Sequence, residues 1–163
     1  MDGHGLAFSE IDDAEFFVGK LFRKKFASPP PVMGYHIVAM LKDGEDALHV
    51  AGYAHFRVFE DVMLVGGVCT DGEVMRRLLP EQSRQVARAG GVYFNLLKHA
   101  FARFADDCNA YFGYCGDTRA EFVNLSAGFQ KTEHQYLLAN FHKPLNDNLR
   151  GALINKVHAI GPF

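Results

Sequence analysis

A chain of 163 residues with 48% apolar and 22% charged residues has the size and balance of one globular domain, with fifteen Phe and no Trp pointing to a phenylalanine-rich core. Its net charge of −2 excludes a global basic field for nucleic acid, and Cys69, Cys108 and Cys115 sit at spacings that match no zinc pattern, so no metal site is expected. No apolar run is long enough to span a membrane, no signal-peptide core opens the chain, and buried free thiols suit a reducing compartment, so a cytoplasmic protein without membrane partners is expected.

Ser9-Glu-Ile-Asp12 offers a cap before a helix whose apolar stripe is Ala14, Phe17, Val18, Leu21 and Phe22. Ser28-Pro-Pro-Pro31 ends it. Residues 34–41 and 48–58 read as strands joined by the loop 42–46. The second strand places Val50, Gly52, Ala54, Phe56 and Val58 on one face and His49, Tyr53, His55 and Arg57 on the other. A turn at Glu60-Asp61 leads into a third strand, Val62 to Thr70, so the three form an antiparallel meander. Gly66-Gly67 lies inside that strand and marks either a bulge or room for a bulky neighbour.

Residues 72–87, interrupted by Leu78-Leu79-Pro80, read as a long loop with a helical turn or two. A helix starts near Gly91, with Tyr93, Leu96, Leu97, Ala100, Phe101 and Phe104 as its stripe. Ala110 to Gly116 is a strand that can lie parallel to the one before that helix. Asp117 or Thr118 caps a short helix ending at Gly128, and 129–142 is a last extended stretch. Pro144 breaks it, and Asp147 caps a closing helix with Leu149, Ala152, Leu153 and Val157 on one face. With no repeat or linker, residues 1–163 read as one domain.

The segment Arg88-Ala-Gly-Gly-Val-Tyr93 joins a glycine pair and an arginine to a helix start. The first N–H groups of a helix lack internal partners and carry partial positive charge, which is a way to hold a phosphate. The alternative is a tight turn only.

The order helix, three-strand meander, glycine turn, helix, strand, short helix, strand resembles the GCN5-related N-acetyltransferases. In that family's acetyl-CoA loop an Arg or Gln is followed by two residues, Gly, one residue, and Gly or Ala. Arg88, Gly91 and the following Leu96-Leu97 fit, while Tyr93 takes the last small position. Of the second signature, Ala120 and Gly128-Phe129 match, and Asp117 and Asn124 stand where the family has Asn and Tyr. The resemblance implies an α+β, three-layer fold with a mixed, mostly antiparallel central sheet, a parallel splayed strand pair and flanking helices. It also implies that acetyl-CoA is cosubstrate and that the acceptor is a small-molecule or peptide amine. The closing helix lies outside the shared pattern and reads as a cover for a sheet edge or as a homodimer contact. Pantetheine would lie along the third strand at Val68 and Cys69. The pyrophosphate would sit on N–H groups of Ala89, Gly90, Gly91, Val92 and Tyr93 beside Arg88, with Asp117, Ala120 and Asn124 also at the cofactor.

Acetyl transfer to an amine needs a base, a donor for the oxyanion and an acid for the thiolate. Where the family commonly has an acidic Tyr this chain has Asn124, which donates a hydrogen bond but no proton. Tyr114 and Cys115 are the neighbouring alternatives, although Cys115 also reads as a small apolar strand residue. His55, Glu60 and Asp71 are base candidates; His55 reads equally as part of a solvated face or one covered by a helix. Tyr93 reads as a phosphate contact or as the first member of the helix stripe. His134, His142 and His158 read as strand-end and surface residues. Besides the acetyltransferase, two readings stay open: a catalytically silent acyl-CoA-binding or protein-interaction domain of the same fold, and a small ligand-binding sensor domain.

Overall fold

The computed structural model describes residues 5–163, and its first element is a strand absent from the expectations above. β1 (Ala7–Ile11) pairs antiparallel with β2 (Tyr35–Lys42), Ala7 opposite Met40 and Ile11 opposite His36. Ser9 and Glu10 therefore belong to a strand, and the helix cap is Asp13, whose carboxylate accepts from the Phe16 N–H at 2.9 Å. α1 (Ala14–Phe26) ends where Ala27 turns left-handed, ahead of the prolines.

β3 (Leu48–Phe59) and β4 (Val62–Thr70) complete the meander. Then come α2 (Gly72–Arg77), α3 (Pro80–Arg88), α4 (Gly91–Phe104), β5 (Tyr111–Tyr114), α5 (Thr118–Ala127), β6 (Gln130–Lys131), β7 (Leu137–Asn140) and α6 (Asp147–Ala159). The seven-stranded sheet has the order β1-β2-β3-β4-β5-β7-β6. β4 and β5 are parallel, Met63 opposite Tyr111 and Val65 opposite Gly113, while β7 runs antiparallel to both β5 and β6. This is the mixed, mostly antiparallel sheet with one parallel pair that the sequence led us to expect.

Two expectations fail for identifiable reasons. The supposed loop 72–87 is two helices, because Asp71 caps α2 and Pro80 opens α3. Proline at a first helical position loses no hydrogen bond and arrives with its φ already helical. The supposed extended stretch 129–142 is a β6–β7 hairpin, turned where Tyr136 takes φ 69.

The chain divides into two compact units. The first holds residues up to His55 together with Gly67–Ala100. In it Ala14, Val18 and Phe22 of α1 pack on Val38, Tyr53 and Cys69 of three strands. Phe17, expected in that stripe, is 47% exposed; Gly19 takes its place among the buried residues. Gly67 has a packing reason to be glycine: a Cβ there would lie 2.7 Å from the Phe22 ring. Gly52 serves α4 in the same way, since its Cβ would lie 2.7 Å from Val92.

The second unit holds Phe56–Gly66 and Phe101–Phe163. Leu153, Ile154 and Val157 of α6 bury themselves on Val62, Leu64, Phe112, Leu137 and Ala139. Leu149 and Ala152, expected in this stripe, are exposed, and the helix is capped by Asn146 rather than Asp147. α6 thus covers a sheet face, not an edge. The alternate residue Tyr111 points to Phe101, with ring centroids 4.5 Å apart.

Candidate functional site: the glycine turn before α4

Gln82 fixes α3 at its start: its side chain accepts from the Leu79 N–H at 2.9 Å and donates to the Lys42 carbonyl at 3.2 Å. At the other end the Ala89 N–H donates to the Gln85 carbonyl and the Gly90 N–H to the Ala87 carbonyl. Gly90 and Gly91 then both adopt positive φ, +100 and +88, and α4 begins at once. Consecutive left-handed residues are tolerated only as glycine, which explains the pair.

The donors that α4 itself does not use are those of its first turn, starting at Gly91, Val92 and Tyr93. Ala89 and Gly90 spend theirs closing α3. Beside the Gly91 Cα is open space, since a Cβ there would meet nothing within 4 Å. Arg88 is exposed and has no ion pair among the described residues. Val92, not Tyr93, begins the buried stripe: it is 5% exposed, while Tyr93 is half-buried. The Asn95 amide, unremarked in the sequence, donates to the carbonyls of Ala89 at 2.9 Å and Gly91 at 2.7 Å.

In the same unit β4 carries Val68, half-buried, and Cys69, buried. Burial pushes the Cys69 thiol up to about 12, with Lys25 opposing and Asp71 adding to the rise. At neutral pH it is a thiol and not a nucleophile. Asp71 is committed to capping α2, accepting from the Glu73 N–H at 2.8 Å.

On the strand face expected to be polar, Tyr53 packs under α1, while Arg57 is exposed. His55 is buried and its Nε2 lies 2.7 Å from the Met33 carbonyl, so that nitrogen carries the proton and donates. His36 Nδ1 and the Tyr53 hydroxyl are 2.8 Å apart, and burial, then nearby Cys69, raises the Tyr53 phenol. His55 is therefore not solvated; its shown contact is with the loop between α1 and β2.

The second unit holds the remaining sequence candidates. Asp117, rather than Thr118, caps α5, accepting from the Ala120 N–H at 2.9 Å. Asn124 is 6% exposed, and its main-chain carbonyl accepts from the Phe129 N–H at 3.1 Å. Cys115 is buried with Sγ 3.3 Å from the Asp117 carbonyl, and the half-buried Tyr114 ring meets Phe163 edge-on. Glu60 is bound to Lys156 at 3.1 Å, the role of a turn residue. His134 and His158 stack with centroids 3.5 Å apart, and His142 Nε2 donates to the Ala105 carbonyl. Among the described residues no three metal-ligating side chains converge, and no helix is long and apolar enough to cross a membrane.

No family model and no curated protein matches the chain by sequence. Solved structures match by shape. The ribosomal-protein-S18-alanine N-acetyltransferase of Escherichia coli is 13% identical, with a TM-score of 0.56 over 88% of this chain and 97% of that one. A chain of the NatC complex bound to Gag peptide and CoA is 11% identical, with a TM-score of 0.60 over 85% and 99%. Tetrahymena GCN5 is 13% identical, with a TM-score of 0.55 over 86% and 99%. With its meander, its parallel β4–β5 pair and its glycine turn into α4, the chain has the fold of the GCN5-related N-acetyltransferases.

Proposed function

We propose that this protein is an acetyl-CoA-dependent N-acetyltransferase acting on a primary amine of a small molecule or peptide. The carrying observation is the pair of left-handed glycines, Gly90 and Gly91, that opens α4 in this fold. Gly91 adjoins open space, first-turn N–H groups and exposed Arg88, which suits a diphosphate. Val68 and Cys69 would offer main-chain partners to the pantetheine amides. The NatC complex, one chain of which shares this fold, was solved with CoA bound, which supports the choice of cosubstrate.

Bound acetyl-CoA would supply an activated thioester. A protonated Cys69 argues against an acyl-cysteine route and for direct transfer to the amine. His55, tethered to the Met33 carbonyl, would hold the loop between α1 and β2 rather than take the amine proton. Asn124 could orient a group by a hydrogen bond, and Tyr114 of β5 would be the candidate proton source.

Thermal melting tests the reading. Acetyl-CoA at about 100 times its dissociation constant adds about 2.7 kcal/mol of stability. No shift with acetyl-CoA, CoA or longer acyl-CoAs would leave a sensor domain as the better reading. A buried Asn124 in place of an acidic Tyr favours a second reading, a silent acyl-CoA-binding domain. That reading predicts the melting shift without thiol release across a panel of amines.

A further inference from the structure

We propose, on the reading that acetyl-CoA binds at this turn, that Asn95 is a positioning residue that sets the turn for the cofactor's diphosphate. Its single side-chain amide spans the junction of two helices, donating to the Ala89 carbonyl at 2.9 Å and the Gly91 carbonyl at 2.7 Å. Those carbonyls lie on either side of Gly90. The Ala89 carbonyl stands at the exit of α3, where carbonyls lack helical partners and carry partial negative charge. Gly91 opens α4, where an anion would be drawn to the N–H groups.

A carbonyl turned toward that mouth would repel a phosphate oxygen. By drawing both carbonyls to one amide, Asn95 aims them away from it. It also fixes the 89–90 and 91–92 peptide planes, and so the direction of the Val92 N–H, which shares a plane with the Gly91 carbonyl. Glycine makes the left-handed turn accessible but does not hold it, because glycine is free to take other conformations. The clamp supplies what the glycines lack: one selected conformation.

Only a donor can do this. Asp at position 95 would set acceptors against two carbonyls and add negative charge within the first turns of α4. Ser could donate to the carbonyl four residues back, that of Gly91, but its one hydroxyl cannot serve both carbonyls.

The experiment measures the dissociation constants of acetyl-CoA and of S-acetylpantetheine, which keeps both amides and the thioester but has no phosphate. They are measured for the unchanged protein and for Asn95→Ala, Asn95→Ser and Asn95→Asp, with exposed Lys98→Ala as control and melting temperature as a check on folding. Asn95→Ala is expected to weaken acetyl-CoA about tenfold, the loss from one or two hydrogen bonds, and to change S-acetylpantetheine less than twofold. Asn95→Ser should fall between, Asn95→Asp should lose most, and Lys98→Ala should change neither ligand. If Asn95→Ala does not fold, Asn95→Ser decides by the same ratio. Unaltered acetyl-CoA affinity in the variant, or an equal loss for both ligands, overturns the positioning role and leaves the cofactor reading standing. If the unchanged protein binds no acetyl-CoA, both fall.

Discussion

Gly67 of β4 faces the ring of Phe22 from α1 so closely that a Cβ on the glycine would lie 2.7 Å from Cε2 and 2.9 Å from Cζ. The contact is with a ring packed in the core, not with the end of a flexible chain; Phe22 is 5% exposed and also meets Phe26 and Tyr53. Gly67→Val is therefore expected to destabilise the fold by about 1–3 kcal/mol, despite valine's better strand propensity. Urea unfolding checks this. The same substitution in a Phe22→Leu background should cost less than the sum of the two single changes, because the clashing ring is gone.

Gly91 offers the opposite contrast. Space beside its Cα is open, but its φ of +88 is unsuited to an L side chain. Gly91→Ala should cost about 1–2 kcal/mol through backbone conformation alone. Gly91→Glu should cost similarly in stability and also abolish the acetyl-CoA melting shift, since it places a carboxylate where the phosphate should lie. A full shift in Gly91→Glu would place the cofactor elsewhere.

How far the chain could be read from its sequence depended on whether a pattern was local. The apolar run in 35–42, the alternation in 48–59 and the stripe of α4 are local, and all three elements were found. β1 was not, because Ser9-Glu-Ile-Asp12 carries a better helix-cap signal than strand signal, and only pairing with β2 decides it. Pro80 was read as an interruption although it is a helix start; the Gln82 cap on Leu79 is local, but the bond from Gln82 to Lys42 that anchors it is a long-range fact. In the candidate site the two glycines were visible, but their clamp was not. Asn95 lies off the apolar stripe and resembles any solvated helix residue until the Ala89 carbonyl is seen above it.

Tyr53 and His36 form a buried pair at 2.8 Å, with Tyr53 fully enclosed. Tyr53→Phe keeps the ring but leaves His36 Nδ1 without this partner. The expected cost is about 1–3 kcal/mol, the penalty for a buried polar group left unsatisfied. Chemical denaturation of Tyr53→Phe, His36→Phe and the double variant gives the coupling. If the double variant costs the sum of the single ones, the pair contributes nothing of its own.

Lys156 ties α6 to the β3–β4 turn through Glu60 at 3.1 Å and through Asp61. The hydrogen bond from Lys156 holds the Asp61 carboxyl below its usual range, while burial opposes the shift. Burial works against the Lys156 ammonium, yet the two carboxylates outweigh it and raise its pKa. A depressed carboxyl contributes stability above its unfolded value, near 3.9, and loses it as pH falls through the lower folded value. A raised ammonium contributes below its unfolded value, near 10.4, and loses it as pH rises through the higher folded one. The network should therefore stabilise on a plateau between about pH 4 and 10. Both groups are partly exposed, so screening limits the gain to about 0.5–1 kcal/mol. Lys156→Met should lower urea stability by that amount at pH 7 and by less at pH 2.5, since the Asp61 contribution is lost as pH falls through its lowered folded value. An equal loss at both pH values would assign the effect to packing of the Lys156 stem on Phe59, over whose ring its ammonium sits at 5.9 Å.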